Sequence, residues 1–196
     1  PFVIALNRHT GKVVWRRERN VAAKKKFAFC TALLIETNGR QQIISPGGDA
    51  VMAYDPASGA EIWRVRYDGY SVVPRPVYGH GLVFLSSGFD HPTFYAIKPT
   101  GQGDVTDTHV AWTLTKGAPH TPSPLLVGDE LYLVSDGGIG ICLDAKTGEI
   151  HWRERVCGSC SASPFHAAGR IYILDEGGRS VVIKADKTFH KLAENE

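Results

Sequence analysis

Cys142-Leu143-Asp144-Ala145-Lys146-Thr147-Gly148-Glu149-Ile150-His151-Trp152 is the stretch from which the rest of this chain can be read. It returns as Ala5-Leu6-Asn7-Arg8-His9-Thr10-Gly11-Lys12-Val13-Val14-Trp15, and again as Ala53-Tyr54-Asp55-Pro56-Ala57-Ser58-Gly59-Ala60-Glu61-Ile62-Trp63. Every copy has an Asp or Asn eight residues before its Trp and a Gly four before it. A fixed internal period of this kind is the mark of a repeat architecture.

The unit has a physical reading. Each copy begins with the end of an apolar strand and turns through Asp/Asn-x-x-Thr/Ser-Gly. The Asp or Asn side chain accepts backbone N–H groups two residues on, and Gly supplies the positive φ of a tight turn. A second strand then alternates polar and apolar residues up to the Trp. The unit is a β-hairpin with a large aromatic on its second strand. Such a hairpin cannot bury the indole alone, so a neighbouring unit must cover it.

Trp15, Trp63, Trp112 and Trp152, all the tryptophans of the chain, are 48, 49 and 40 residues apart. The third copy is distorted: Ala96-Ile97-Lys98 stands in for Ala-x-Asp, and Gly101 to His109 widens the turn before Trp112. A fifth copy has Val182-Ile183-Lys184 at the turn and Leu192 in the Trp position. Ser123-Pro124 and Ser163-Pro164, Leu131-Tyr132 and Ile171-Tyr172, and Gly137-Gly138 and Gly177-Gly178 keep the same 40-residue offset. One supersecondary unit of about four strands is therefore repeated.

The Ala-x-Asp-x-x-Thr-Gly-x-x-x-Trp pattern resembles the tryptophan-docking repeat of PQQ-like (quinoprotein-type) β-propellers, over essentially the whole chain. That resemblance implies an all-β fold of four-stranded antiparallel blades. It also implies a periplasmic or extracellular setting in the cell envelope. The superfamily joins PQQ dehydrogenases with propellers that bind no quinone, among them many secreted bacterial repeat proteins. The insert Gly103-Asp104-Val105-Thr106 and the run Pro119-His120-Thr121-Pro122-Ser123-Pro124 look most like that last group.

The expected blades are residues 1–17 (the last two strands only), 27–66, 71–115, 121–155 and 161–192, about 4.5 blades in one partial propeller domain. Their strands are expected at Thr31–Ile35, Gln42–Ser45, Val51–Tyr54 and Glu61–Arg66, then at Ser71–Val77, Leu82–Ser86, Thr93–Ile97 and Val110–Leu114. The last strand of the fifth blade is barely visible. Hairpin turns fall at Asn38-Gly39, Gly79-His80-Gly81, Gly128-Asp129 and Ala168-Gly169. Propellers of this kind close with more blades than these, so the chain reads as a fragment whose open sheet faces await neighbours.

Composition sets bounds. With 43% hydrophobic residues the 196-residue chain can bury one sizeable core. A net charge of +2 gives no global field for nucleic acid. No apolar run approaches the roughly 18–20 residues of a membrane span. The charged runs Arg16-Arg17-Glu18-Arg19, Arg64-Val65-Arg66 and Arg153-Glu154-Arg155 are assigned to the outermost strands, where charge discourages edge pairing. Lys24-Lys25-Lys26 adds to the first of them.

Ligand sites of propellers collect on the loops between blades and between second and third strands. Arg75, His120, Ser123, Asp136 and Ser161 are the candidate ligand-binding residues there, with Tyr70, Ser159, Asp49 and Asp90 alongside. The same side chains can also cap turns. Cys157-Gly158-Ser159-Cys160 is a possible disulfide, a redox pair, or half of a zinc site completed by Cys142, Cys30 or His166. No nucleophile elbow, phosphate loop or metalloprotease helix is present, and no catalytic residue is assigned.

The expected function is a non-catalytic scaffold in the bacterial cell envelope that binds a protein or a small polar ligand and needs no cofactor. The alternative is a piece of a PQQ-dependent dehydrogenase, with calcium held by carboxylate and amide oxygens and an aspartate base near the quinone. The paired adjacent cysteines common in those enzymes have no counterpart here: the closest two, Cys157 and Cys160, have two residues between them.

Overall fold

The computed structural model describes residues 1–196. Strands β1 (Phe2–Leu6) and β2 (Val13–Glu18) pair as half a blade. The next sheet is built from β3 (Leu33–Thr37), β4 (Arg40–Gly47), β5 (Ala50–Tyr54) and β6 (Glu61–Arg66). Then come β7 (Val77–Gly79), β8 (Leu82–Ser86), β9 (Phe94–Ile97), β10 (Gly103–Asp104), one helical turn α1 (Thr106–His109) and β11 (Val110–Leu114). The fourth sheet holds β12 (Leu125–Val127), β13 (Glu130–Val134), β14 (Ile139–Asp144) and β15 (Ile150–Arg155). The fifth holds β16 (Phe165–Ala167), β17 (Arg170–Leu174), β18 (Ser180–Lys184) and β19 (Lys191–Asn195). Each blade is an antiparallel meander, and the whole is an all-β partial propeller.

The turns follow from residue choice. Asn7, Asp55 and Asp144 each accept two backbone N–H groups through Oδ1, from residues two and three further on. A further bond from the Ser58 hydroxyl contributes most to holding the Asp55 carboxyl below the usual range, and the Thr147 N–H contributes most at Asp144. Asn38-Gly39, His80-Gly81 and Ala168-Gly169 all have positive φ at both residues, the geometry of a two-residue type I′ hairpin.

The core lies between blades, not inside them. One cluster joins Trp63, Val51 and Ile44 of the second sheet to Val83, Leu85 and Ile97 of the third. Another joins Phe84 and Phe94 to Leu131, Ile141 and Leu143 of the fourth. A third joins Trp152 and Tyr132 to Ile171, Val181 and Ile183 of the fifth. Three of the indoles cross from one blade to the next. Nε1 of Trp15 donates to Pro56 O at 2.9 Å, Trp112 to Ala145 O at 3.1 Å, and Trp152 to Asp186 O at 3.1 Å. Trp63 differs: it donates to Gln42 Oε1 at 2.7 Å, and Gln42 Nε2 passes the link to Pro99 O at 3.0 Å. Across the hairpin the four indoles face Ala5, Ala53, Ala96 and Cys142, small residues that leave them room.

Four expectations change. The first strands are Leu33–Thr37 and Val77–Gly79, later than Thr31–Ile35 and Ser71–Val77, because the preceding residues serve as connectors pinned to neighbouring blades. The strand ending the fifth blade is a full five residues, although Leu192 replaces the Trp. Arg19 does not sit on an outer edge. It is 5% exposed, and its guanidinium donates to Ser45 O, Ser45 Oγ and Ala50 O of the next blade.

The widened turn before Trp112 is also more than a turn. β10 leaves the third blade and pairs in parallel with β6 of the second, Gly103 beside Trp63 and Asp104 beside Arg64. It covers the outer edge of that sheet, which would otherwise offer unpaired backbone groups. Asp104 fastens it by accepting from Thr106 Oγ1 and Arg66 Nε, both at 2.6 Å, and these bonds, the Thr106 hydroxyl first, hold its carboxyl down at about 2. A lowered folded-state pKa stabilises the ionised form. The contribution is complete above the unfolded value near 3.9 and is lost as pH falls through about 2. Amide protection of Val105, which donates to Arg64 O, should therefore fall across that window. Asp104→Asn should show reduced protection already at neutral pH, with a global cost below about 1 kcal/mol because the pair is exposed. Unchanged protection in the variant would contradict this role.

Candidate functional site

The connectors between blades and the loops between second and third strands lie against one another throughout the arc, and short polar side chains fix them. Asp49 accepts Lys24 N at 3.0 Å and Gly69 N at 3.3 Å. Asp90 accepts the Tyr70 hydroxyl at 2.6 Å. Asp136 accepts His120 N at 2.7 Å and faces His120 Nδ1 at 3.2 Å. Asp175 accepts Gly158 N at 3.3 Å. Burial pushes the Asp175 carboxyl up, but bonds from the Arg179 and Gly158 N–H groups and from the Arg179 guanidinium hold it below its ordinary value. In every case a loop carboxylate ties down the connector entering its blade.

The candidate residues fall into two adjacent pairs and one outlier. Arg75 N donates to Ser123 Oγ at 3.0 Å, and Ser123 N donates in turn to Ser163 Oγ at 3.0 Å, so these serines stitch successive inner strands together. His120 and Asp136 form the second pair. Ser161 is exposed on the next connector and bonds to none of the other four. Cys157 and Cys160 are buried with their sulfurs in bonding contact, in the connector between the fourth and fifth blades. The two free thiols are far from reactive: burial pushes Cys30 up to about 11 and Cys142 up to about 12. Neither joins a metal-ligating group with Cys157 and Cys160, nor does His166.

Nor do the loop carboxylates converge on one another. Asp49, Asp90 and Asp136 sit on three successive blades, each committed to its own connector, and no three His, Cys, Asp or Glu side chains come together anywhere in the chain.

What the connectors do bring together is aromatic. Phe29 and Phe27 lie 6.1 Å apart between ring centroids, Phe27 and Tyr70 5.7 Å, Tyr70 and Phe89 6.1 Å, and Phe89 and His120 5.6 Å. Backbone bonds hold the row in place: Ser71 N to Phe27 O, Phe29 N to Val72 O, and Phe89 N to Tyr70 O. Lys25 Nζ lies 3.7 Å from the Tyr70 ring centroid. Phe27, Phe29 and Phe89 are 48%, 67% and 53% exposed, on residues that no strand needs for its hairpin. Sequence reasoning named Tyr70 and His120 but missed the phenylalanines, whose spacing follows no repeat. The one available signal was phenylalanine in polar connectors.

Comparison with known proteins comes to the same architecture. A family model described as outer membrane protein assembly factor BamB matches residues 2–139 and 102–190. A search of curated proteins found no match. Among solved structures, BamB from Moraxella catarrhalis aligns with a TM-score of 0.72 at 21% identity, over 99% of this chain and 55% of that one. The chain thus spans about half the length of that relative. Quinohemoprotein alcohol dehydrogenase from Comamonas testosteroni aligns with a TM-score of 0.69 at 11% identity, covering 99% of this chain and 40% of the enzyme. Quinohemoprotein alcohol dehydrogenase ADHIIG from Pseudomonas putida aligns with a TM-score of 0.63 at 18% identity, over 87% and 34%. At these identities the likeness is one of fold.

Proposed function

Because the chain belongs to the outer membrane protein assembly factor BamB family, we propose that it is a non-catalytic scaffold of the bacterial cell envelope that holds a protein partner on its connector face. The observation that carries this reading is the aromatic row Phe29, Phe27, Tyr70, Phe89 and His120, whose three phenylalanines are exposed. Contiguous apolar surface rimmed by polar groups marks protein contact, and aromatic rings supply most of the binding energy at such contacts. Asp49, Asp136 and Asp175 support the same reading, since their hydrogen bonds fix connectors. No helix is long and apolar enough to cross a membrane. The family's name points to partners among the components of outer membrane protein assembly.

The test is co-purification with those assembly components from envelope extracts. Replacing Phe27, Phe29 and Phe89 together with serine should leave the melting temperature within a few degrees and reduce recovery of the assembly components at least tenfold. Unchanged recovery with the triple variant would overturn the assignment of the face.

A further inference from the structure

We propose that the cavity bounded by Asp68, Tyr70, Phe89, Asp90 and Tyr95 receives a guanidinium group, presented by an arginine on an extended segment of the partner protein. The inference rests on the scaffold reading and names the chemistry its partner must carry.

The cavity, about 310 Å³, opens between the connector that follows β6 and the loop joining β8 to β9. Tyr70, Phe89 and Tyr95 supply three aromatic rings, and Asp68 and Asp90 supply two carboxylates. No salt bridge within the chain engages either acid. Asp90 accepts only the Tyr70 hydroxyl, which leaves its Oδ1 available. The Asp68 carboxylate makes no hydrogen bond, but its charge is felt by the Tyr95 hydroxyl, which burial, with Asp68 adding, pushes up. Unpaired carboxylates beside aromatic faces attract a cation through both the charge and the ring quadrupole.

The chain itself supplies a precedent, since Lys25 already places its ammonium over Tyr70. A planar guanidinium suits the cavity better than an ammonium. It stacks on aromatic faces, pairs with carboxylate through two parallel N–H bonds, and gives up its hydration more readily. A peptide arginine is favoured over a free cation because the apolar row continues past the cavity through Phe27 and Phe29, where residues flanking the arginine can lie.

The experiment titrates the chain into fluorescent N-acetylated, C-amidated peptides of sequence Phe-Gly-Arg-Gly-Phe and the same peptide with citrulline, the neutral isostere, in place of arginine. Anisotropy should show saturable binding of the arginine peptide, at least tenfold tighter than the citrulline peptide. Asp68→Asn and Asp90→Asn should each weaken it at least fivefold with unchanged melting temperature. Asp90 has φ +71°, a conformation asparagine tolerates, so Asp90→Asn leaves the loop intact and its amide oxygen still accepts from Tyr70. Lys25→Ala should tighten binding, because it frees the Tyr70 face. Equal affinity for the two peptides, indifference to both aspartate substitutions, or absence of binding would overturn the inference. If that occurs while the Phe27, Phe29 and Phe89 variant still loses the assembly components, the scaffold reading stands and only the arginine preference is lost.

Discussion

Trp63→Ala is expected to lower the stability of the chain by about 4 kcal/mol or more, the largest effect of any single tryptophan here. The indole is fully buried between the second and third blades. Truncation removes its apolar area, leaves a cavity that sheets on both sides cannot close, and strands Gln42 Oε1 in a buried position. Trp63→Phe should recover part of the loss by filling space while leaving the Gln42 acceptor unpaired. Urea unfolding followed by far-ultraviolet circular dichroism measures both. A cost below about 1 kcal/mol for Trp63→Ala would mean that the blades do not depend on this contact.

Gly59→Ala should cost about 3 kcal/mol, from two separable causes. Its φ of +67° disfavours any side chain, worth about 1 kcal/mol. In addition, the new Cβ would lie 2.5 Å from Cε3 of Trp15, so the indole would have to leave its seat, an overpacking cost of about 1–3 kcal/mol. Gly11 provides the internal control, because its φ is +69° but nothing lies within 4 Å of a Cβ built there. Gly11→Ala should therefore cost only the backbone share. Equal losses in the two variants, measured by thermal unfolding, would show that the glycine serves the turn alone and not the docking of the preceding blade.

That pair of glycines also shows what a sequence can and cannot convey. The Asp-x-x-Thr-Gly-x-x-x-Trp pattern was legible because each of its residues acts within one hairpin: the Asp caps, the Gly turns, the Trp points out. Its second meaning, a flat seat for the indole of the blade before, depends on contact between repeats and leaves no local trace. The Gln42 relay, the burial of Arg19 and the parallel strand at Gly103–Asp104 were hidden for the same reason. In each, a residue that reads as polar surface or loop is claimed by the neighbouring blade. The candidate site was only half visible. Tyr70, His120, Asp90 and Asp136 were legible as polar groups on loops, and so were Arg75, Ser123 and Ser161, which the aromatic row does not include. Phe27, Phe29 and Phe89 were not, because their sequence positions follow no repeat and their meeting is a product of the connectors' three-dimensional course.

The most direct test of a protein-binding connector face is site-specific photo-crosslinking in intact bacterial cells. A benzophenone side chain would replace Phe89 in one variant and exposed Thr113, on the outer strand of the same blade, in another. The account predicts a discrete crosslinked band from position 89, containing an outer membrane assembly component, and none from position 113. Equal crosslinking from both positions, or none from position 89, would contradict it.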